Sequence, residues 1–256
     1  MTSLANKIAI ITGASSGIGR AAAKLFAAQG AQLVVTARRA AELETLVAEI
    51  STDGGRAIAL AGDIREEAHA SALVEAARSC FGGLDIAFNN AGVVGEIGPL
   101  QEMSLADWND LMATNLTSAF LGAKHQVPAL LARGGGSLIF TASFVGHTAG
   151  LAGMAAYAAS KAGQIGLVKA LAAELGARDI RVNALLPGGT DTPASITSAP
   201  DSGPEVLAFV EGIHALKRMA RPEEIAQAAL FLASDAASFV TGAAFLADGG
   251  VSVQRG

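Results

Sequence analysis

The only tyrosine of this 256-residue chain, Tyr157, stands four residues before Lys161 in the run Tyr157-Ala158-Ala159-Ser160-Lys161-Ala162-Gly163. On a helix, that spacing stacks two side chains on one face. A phenol loses its proton near pH ~10 in water and is a poor acid or base at neutrality. An ammonium held beside it favours the phenolate and draws the phenol toward the working range. The pair can move a proton, or be an ordinary polar pair on an amphipathic helix. Its weight comes from a glycine-rich loop far upstream, Thr12-Gly13-Ala14-Ser15-Ser16-Gly17-Ile18-Gly19. Glycines let such a turn form and let backbone N–H groups approach a pyrophosphate at the positive end of a helix. A proton-relay pair and a dinucleotide cradle in one chain point to redox chemistry.

The elements that must hold these residues alternate, short β-rich runs with longer helical ones. That rhythm predicts an α/β protein, a parallel sheet covered by helices on both faces. Strands are expected at Lys7–Thr12, Gln32–Thr36, Arg56–Leu60, Leu84–Asn89, Ser137–Thr141, Ile180–Leu185 and Ala243–Leu246. Helices are expected at Gly17–Gln29, stopped by Gly30, and from about Ala40 to Ile50 and Glu66 to Cys80. A long helix is expected over Asn115–Leu131 and a small-residue helix over Met154–Leu175. The stretch from Thr190 to Arg221 breaks the rhythm with Pro193, Pro200, Gly203 and Pro204 and a short helical piece near Val206–Ile213. An insertion of that length after a strand reads as a lid within one domain spanning 1–256.

Composition narrows the function classes. A net charge of −5 without basic clusters argues against nucleic acid as a partner. No apolar run approaches the ~18 residues of a membrane span. The lone Cys80 excludes an intrachain disulfide framework and fits a reducing compartment, so a cytoplasmic protein is expected. The scattered His69, His125, His147 and His214 show no metal-ligand spacing, and no metal is expected.

The G-x-x-x-G-x-G spacing of Gly13, Gly17 and Gly19, the later Y-x-x-x-K and the length resemble the classical short-chain dehydrogenase/reductase family over essentially the whole chain. The resemblance implies a single Rossmann-type, doubly wound parallel sheet of about seven strands. It implies that the glycine loop, with Ser15, Ser16 and Ile18, holds a nicotinamide dinucleotide. An NAD site places an acidic residue about 20 residues past the loop, at the end of the second strand. This chain reads Thr36-Ala37-Arg38-Arg39 there, with no carboxylate until Glu42. A guanidinium binds a 2′-phosphate that a carboxylate would repel, so NADP(H) is expected over NAD(H). By resemblance, Asp63 and Ile64 lie at the adenine, and Asn90-Ala91-Gly92 at the adenosine ribose. Pro187, Gly188, Thr190 and Thr192 belong to a nicotinamide-side loop.

The resemblance further assigns Tyr157 as acid/base and Lys161 as the cation that lowers its pKa and binds the nicotinamide ribose. Ser143 is expected to hydrogen-bond the substrate oxygen. Asn115 is expected to hold a water linking Lys161 to solvent. Taken singly, Ser143 could be a strand-end cap and Asn115 a helix N-cap. The pocket is expected from Val93–Ile97, Phe144–Met154 and the lid. Val94, Phe144, Val145, Leu151 and Met154 there suit an apolar carbonyl or alcohol, with Glu96 and His147 the polar exceptions. The expected activity is ketone or aldehyde to alcohol interconversion by hydride transfer. The alternatives are a 3-oxoacyl-thioester (acyl-carrier-protein) reductase and a non-catalytic NADP-sensing regulator. The stripe Ala158, Ala162, Gly166 and Ala170, the apolar Phe120, Leu121 and Leu131, and the apolar C-terminal run are candidate interface surfaces, and the resemblance implies a homotetramer.

Overall fold

The computed structural model describes residues 3–199 and 202–254; Pro200 of the insertion lies outside the described residues. The strands are β1 (Ile8–Thr12), β2 (Gln32–Thr36), β3 (Arg56–Ala59), β4 (Ile86–Asn89), β5 (Gly136–Thr141), β6 (Ile180–Pro187) and β7 (Ala244–Ala247). They form one sheet in the order β3-β2-β1-β4-β5-β6-β7, with every neighbouring pair parallel. Strand order reverses between β1 and β4, and such a switch point opens a crevice beyond the carboxyl ends of the strands.

Alternation along each strand sends side chains to two cores. Ala9 and Ile11 of β1, with Leu33 and Val35 of β2, pack on α1 (Gly17–Ala28), α2 (Ala40–Thr52) and α8 (Pro222–Ala233). Ile8, Ile10 and Val34 face the other way, onto α3 (Glu67–Phe81), α5 (Ser118–Ala132) and α6 (Ala155–Leu175). Phe26 of α1 stacks on Phe88 of β4 at 6.4 Å between ring centroids, which fixes α1 against the strands whose ends carry the cleft.

Two helices depart from the sequence reading. The long helix starts at Leu105 rather than Asn115, capped by Ser104, whose hydroxyl accepts from the Asp107 N–H at 3.0 Å. This first piece, α4 (Leu105–Met112), buries only Leu111 and leaves Leu105 74% exposed, so it carries no apolar stripe to read. Ala113–Thr117 then form a wide π-turn before α5. Asn115 therefore lies inside a helical stretch, not at an N-cap. Helix α8 was absent from the sequence reading, although Pro222 opens it and Glu224 accepts from the Arg221 N–H at 2.8 Å.

The insertion leaves and returns at one neck, where Ala220 donates to the Gly189 carbonyl at 2.8 Å and Asp191 donates to the Ala220 carbonyl at 2.9 Å. It carries α7 (Pro204–Gly212).

Candidate active site

The carboxyl ends of β1, β4 and β5 are tied by side chains. The Thr12 hydroxyl accepts from the N–H groups of Asn90 and Ala91, each at 3.0 Å. Asn90 returns its amide to the Thr12 carbonyl at 3.1 Å, and Thr141 donates to Asn90 Oδ1 at 3.1 Å. A cleft of about 540 Å³ opens above these ends. Of the sequence-expected cofactor residues, Gly13, Ser15, Ser16, Gly17, Ile18, Arg38, Arg39, Asp63, Ile64, Asn90, Ala91 and Gly92 line it. So do Pro187, Gly188, Thr190 and Thr192, and so do Ser143, Tyr157 and Lys161. Gly19 and Asn115 do not. Gly19 lies beneath the loop, where a Cβ would stand 2.4 Å from the Gly13 carbonyl oxygen and 2.7 Å from Asn90 Nδ2.

The N-terminus of α1 has no side-chain cap and no acidic residue in its first turn, so its N–H groups are free to take an anion. The Ser16 hydroxyl instead accepts from Arg39 Nη2 at 3.0 Å, and Ser15 accepts from the same nitrogen at 2.9 Å. Arg39 is the N-cap residue of α2, and its Nε lies 3.6 Å from the Glu42 carboxylate in the first turn. Arg38 is exposed beside it, and Ala37 stands where a ribose-binding carboxylate would be. This donor set, with backbone too close for side chains at Gly19, fits a nicotinamide dinucleotide. The Asp63 carboxylate is engaged by the Arg65 side chain at 2.7 and 2.9 Å and by the Arg65 N–H at 2.9 Å. Those bonds hold it below the usual carboxylate range.

At the other end, α6 carries Tyr157 and Lys161 on one face, with the Lys161 ammonium 5.7 Å from the Tyr157 ring centroid. Lys161 Nζ donates to the Thr141 carbonyl at 2.7 Å and to Gln164 Oε1 at 3.3 Å. The sequence reading had Lys161 drawing the phenol down. In this structure burial raises the Tyr157 phenol, with the Ser143 hydroxyl working against it. Burial also lowers Lys161 to about 7. The physical reason is that both groups lie in low dielectric, and the ammonium is turned to β5 and Gln164 rather than to the phenol oxygen.

Asn115 is fully buried beside Lys161 and the loop after β4. Its side chain accepts from the Val93 N–H at 2.9 Å and donates to the Val93 carbonyl at 2.8 Å and to Ser160 at 3.1 Å. Its main-chain carbonyl accepts from Gln164 Nε2 at 2.7 Å. In this structure it braces the loop after β4.

Above Tyr157 the wall is apolar. Phe144, Val145 and Met154 are buried together with Val251, and Val94, Leu151 and Ile213 pack against them. All but Val251 line the cleft. Glu96 and His147 are exposed and do not line it.

The comparisons agree with this geometry. A family model described as Enoyl-(Acyl carrier protein) reductase matches residues 13–252. A protein of Acinetobacter sp. (strain SE19) named cyclohexanol dehydrogenase is 40% identical over 95% of this chain and 94% of its own. A protein of Sphingobium indicum named 2,5-dichloro-2,5-cyclohexadiene-1,4-diol dehydrogenase is 41% identical over 98% of each chain. A crystal structure from Beutenbergia cavernae with NADP bound at low occupancy superposes with a TM-score of 0.91 at 36% identity, covering 99% of each chain. The chain belongs to the short-chain dehydrogenase/reductase family. It is an oxidoreductase of CH–OH and C=O groups that uses a nicotinamide cofactor.

Beyond the residues that led to the family, this dehydrogenase/reductase site uses two that the sequence reading missed. His214, fully buried, accepts from the Gly189 N–H through Nε2 at 2.9 Å and donates from Nδ1 to the Val210 carbonyl. It thereby ties the nicotinamide-side loop to α7. Gln164 is the other, joining Lys161 to Asn115. Its only sequence signal is a polar residue three places after Lys161, on the face the helix must bury.

Proposed function

We propose that this chain interconverts an alicyclic secondary alcohol and its ketone with NADP(H), using Tyr157 as acid/base. The observation that carries this is the meeting, at one end of the cleft, of Ser143, Tyr157 and Lys161 with an apolar wall. When bound, the nicotinamide supplies or takes up the hydride. Tyr157 hands its phenolic proton to the alkoxide oxygen that develops on carbonyl reduction, and takes it back on alcohol oxidation. Ser143 donates to the same oxygen and stabilises its developing charge. Lys161 offsets the charge on the phenolate and binds the ribose.

Arg39 at Ser15 and Ser16, with Arg38, would hold the 2′-phosphate; Gly13, Gly17 and the N-terminus of α1 would hold the pyrophosphate. Asp63 and Ile64 would flank the adenine, Asn90 to Gly92 its ribose, and Pro187 to Thr192 the nicotinamide. The segment 190–221, closed at its neck and carrying Phe209 and Ile213 into the cleft, would act as the lid. The ring-shaped substrates named for two relatives support an alicyclic substrate for an apolar pocket. The test is a panel of cyclic and aryl alcohols, sugars and acyl thioesters with NADP⁺ or NADPH, read by absorbance of the reduced cofactor. Preference for sugars or thioesters would remove the reading.

An acyl-carrier reductase would present free basic residues to its acidic carrier. Here Lys124 pairs with Glu67, Arg133 with Asp85, and Arg218 and Arg221 with Glu224, which leaves Lys217, donating to the Gly212 carbonyl, without a carboxylate partner among the described residues. A non-catalytic sensor would have no use for a convergent Ser143, Tyr157 and Lys161. The exposed thiol of Cys80 suits the cytoplasm.

A homotetramer is part of the same proposal. Ala162, Gly166 and Ala170 are exposed on α6, as are Phe120 on α5 and Phe239 (103% exposed), Leu246 and Val253 in the C-terminal segment. Leu121 is buried in the chain's own core and leaves the list of interface residues. Light scattering of a monomer at micromolar concentration would remove the tetramer alone. Among the described residues, no helix is long and apolar enough to cross a membrane.

A further inference from the structure

Lys161 is only 3% exposed, and Gln164, one turn along the same face of α6, is 2% exposed. The Gln164 amide lies between two groups of opposite hydrogen-bonding character. An ammonium only donates and a carbonyl only accepts. Its orientation is therefore fixed by chemistry, with Oε1 toward Lys161 at 3.3 Å and Nε2 toward the Asn115 carbonyl at 2.7 Å. The π-turn at Ala113–Thr117 interrupts the regular helical ladder where that carbonyl turns to the amide. An apolar residue would fill the same volume without the cost of burying an amide.

We infer that Gln164 is a positioning residue for Lys161: its amide oxygen fixes the ammonium, 5.7 Å from the Tyr157 ring centroid, and its amide nitrogen anchors it to the Asn115 carbonyl. The groups around the ammonium leave it no other support of this kind. From β5 it meets the neutral Thr141 carbonyl, and on its own helix the neutral Tyr157. Gly92 and the Asn115 amide, from the loop after β4 and the π-turn, are uncharged neighbours. Among the described residues no carboxylate offsets its burial, which lowers it to about 7. The Gln164 oxygen is thus the side-chain acceptor that favours the charged form.

The inference rests on Lys161 acting with Tyr157, and one of its readouts needs no turnover. The full-length chain carrying lysine labelled at the ε-carbon is titrated by NMR, with Lys161→Met identifying the signal. In Gln164→Met the Lys161 midpoint is expected to fall by about one to two pH units, the size a hydrogen bond to a charged group accounts for. The acidic limb of alcohol oxidation is expected to move to higher pH in the same variant. An unmoved midpoint, with a rate loss equal at every pH, would show packing only and overturn the inference. Should Gln164→Met not fold, Gln164→Glu keeps the contact to Lys161 and should raise its midpoint above wild type; an unchanged or lower midpoint overturns it. A wild-type chain without turnover on any alcohol removes the proposed activity and leaves the titration result standing.

Discussion

At the glycine-loop end of the cleft, backbone sits against backbone: Gly13 at Ala91, Gly19 under Gly13, and Thr12, Asn90 and Thr141 tying three strand ends. At the substrate end, side chains from the loops after β4, β5 and β7, from α6 and from Ile213 meet as a small apolar cluster, and buried His214 beside Ile213 ties the loop after β6 to α7. The first end tolerates no added atom and recognises features common to dinucleotides. The second can change side chains without moving a strand. The contrast implies that substitutions at the first end should change cofactor binding, and those at the second should change which substrate is used.

Gly19→Ala is the sharpest way to break that contrast. Its Cβ would stand 2.4 Å from a backbone oxygen that no rotamer change can relieve. Overpacking costs about 1–3 kcal/mol, and the top of that range is roughly a hundred-fold in cofactor affinity. Fluorescence titration with NADPH measures it; wild-type affinity would contradict the close-packed account.

Arg39→Ala should weaken NADPH by about ten- to a hundred-fold, the worth of a charge-assisted contact, and leave NADH nearly unchanged. Equal losses, or a wild-type preference for NADH, would overturn the 2′-phosphate assignment.

Leu151→Ala, at the substrate end, should leave NADPH affinity alone. It should favour bulkier cyclic alcohols over cyclohexanol by roughly ten-fold in kcat/KM, within the ~1–3 kcal/mol that one apolar contact discriminates. A loss confined to cofactor binding would erase the distinction between the two ends.

The sheet and the cofactor end were legible in the sequence for a physical reason. Buried parallel strands such as Ile8–Thr12 read as unbroken apolar runs, and positions such as Gly13 and Gly17, with φ of +69° and +53°, demand glycine. Helix α4 was not legible, because a helix that buries one residue has no stripe. Gln164 and His214 were not legible either. Their partners are main-chain groups brought near by the fold, the Asn115 carbonyl by a π-turn and the Gly189 N–H by a loop. Glu96 and His147 were singled out by chemical type alone, and both are exposed and outside the cleft lining.

The central claim is that Tyr157 moves the proton. The direct test compares wild type with Tyr157→Phe on a cyclic secondary alcohol at saturating NADP⁺, with NADPH affinity measured in parallel. Loss of a general acid/base group predicts a fall in kcat of about 10²–10⁴-fold with cofactor affinity retained. Turnover near wild type in Tyr157→Phe would contradict the mechanism outright.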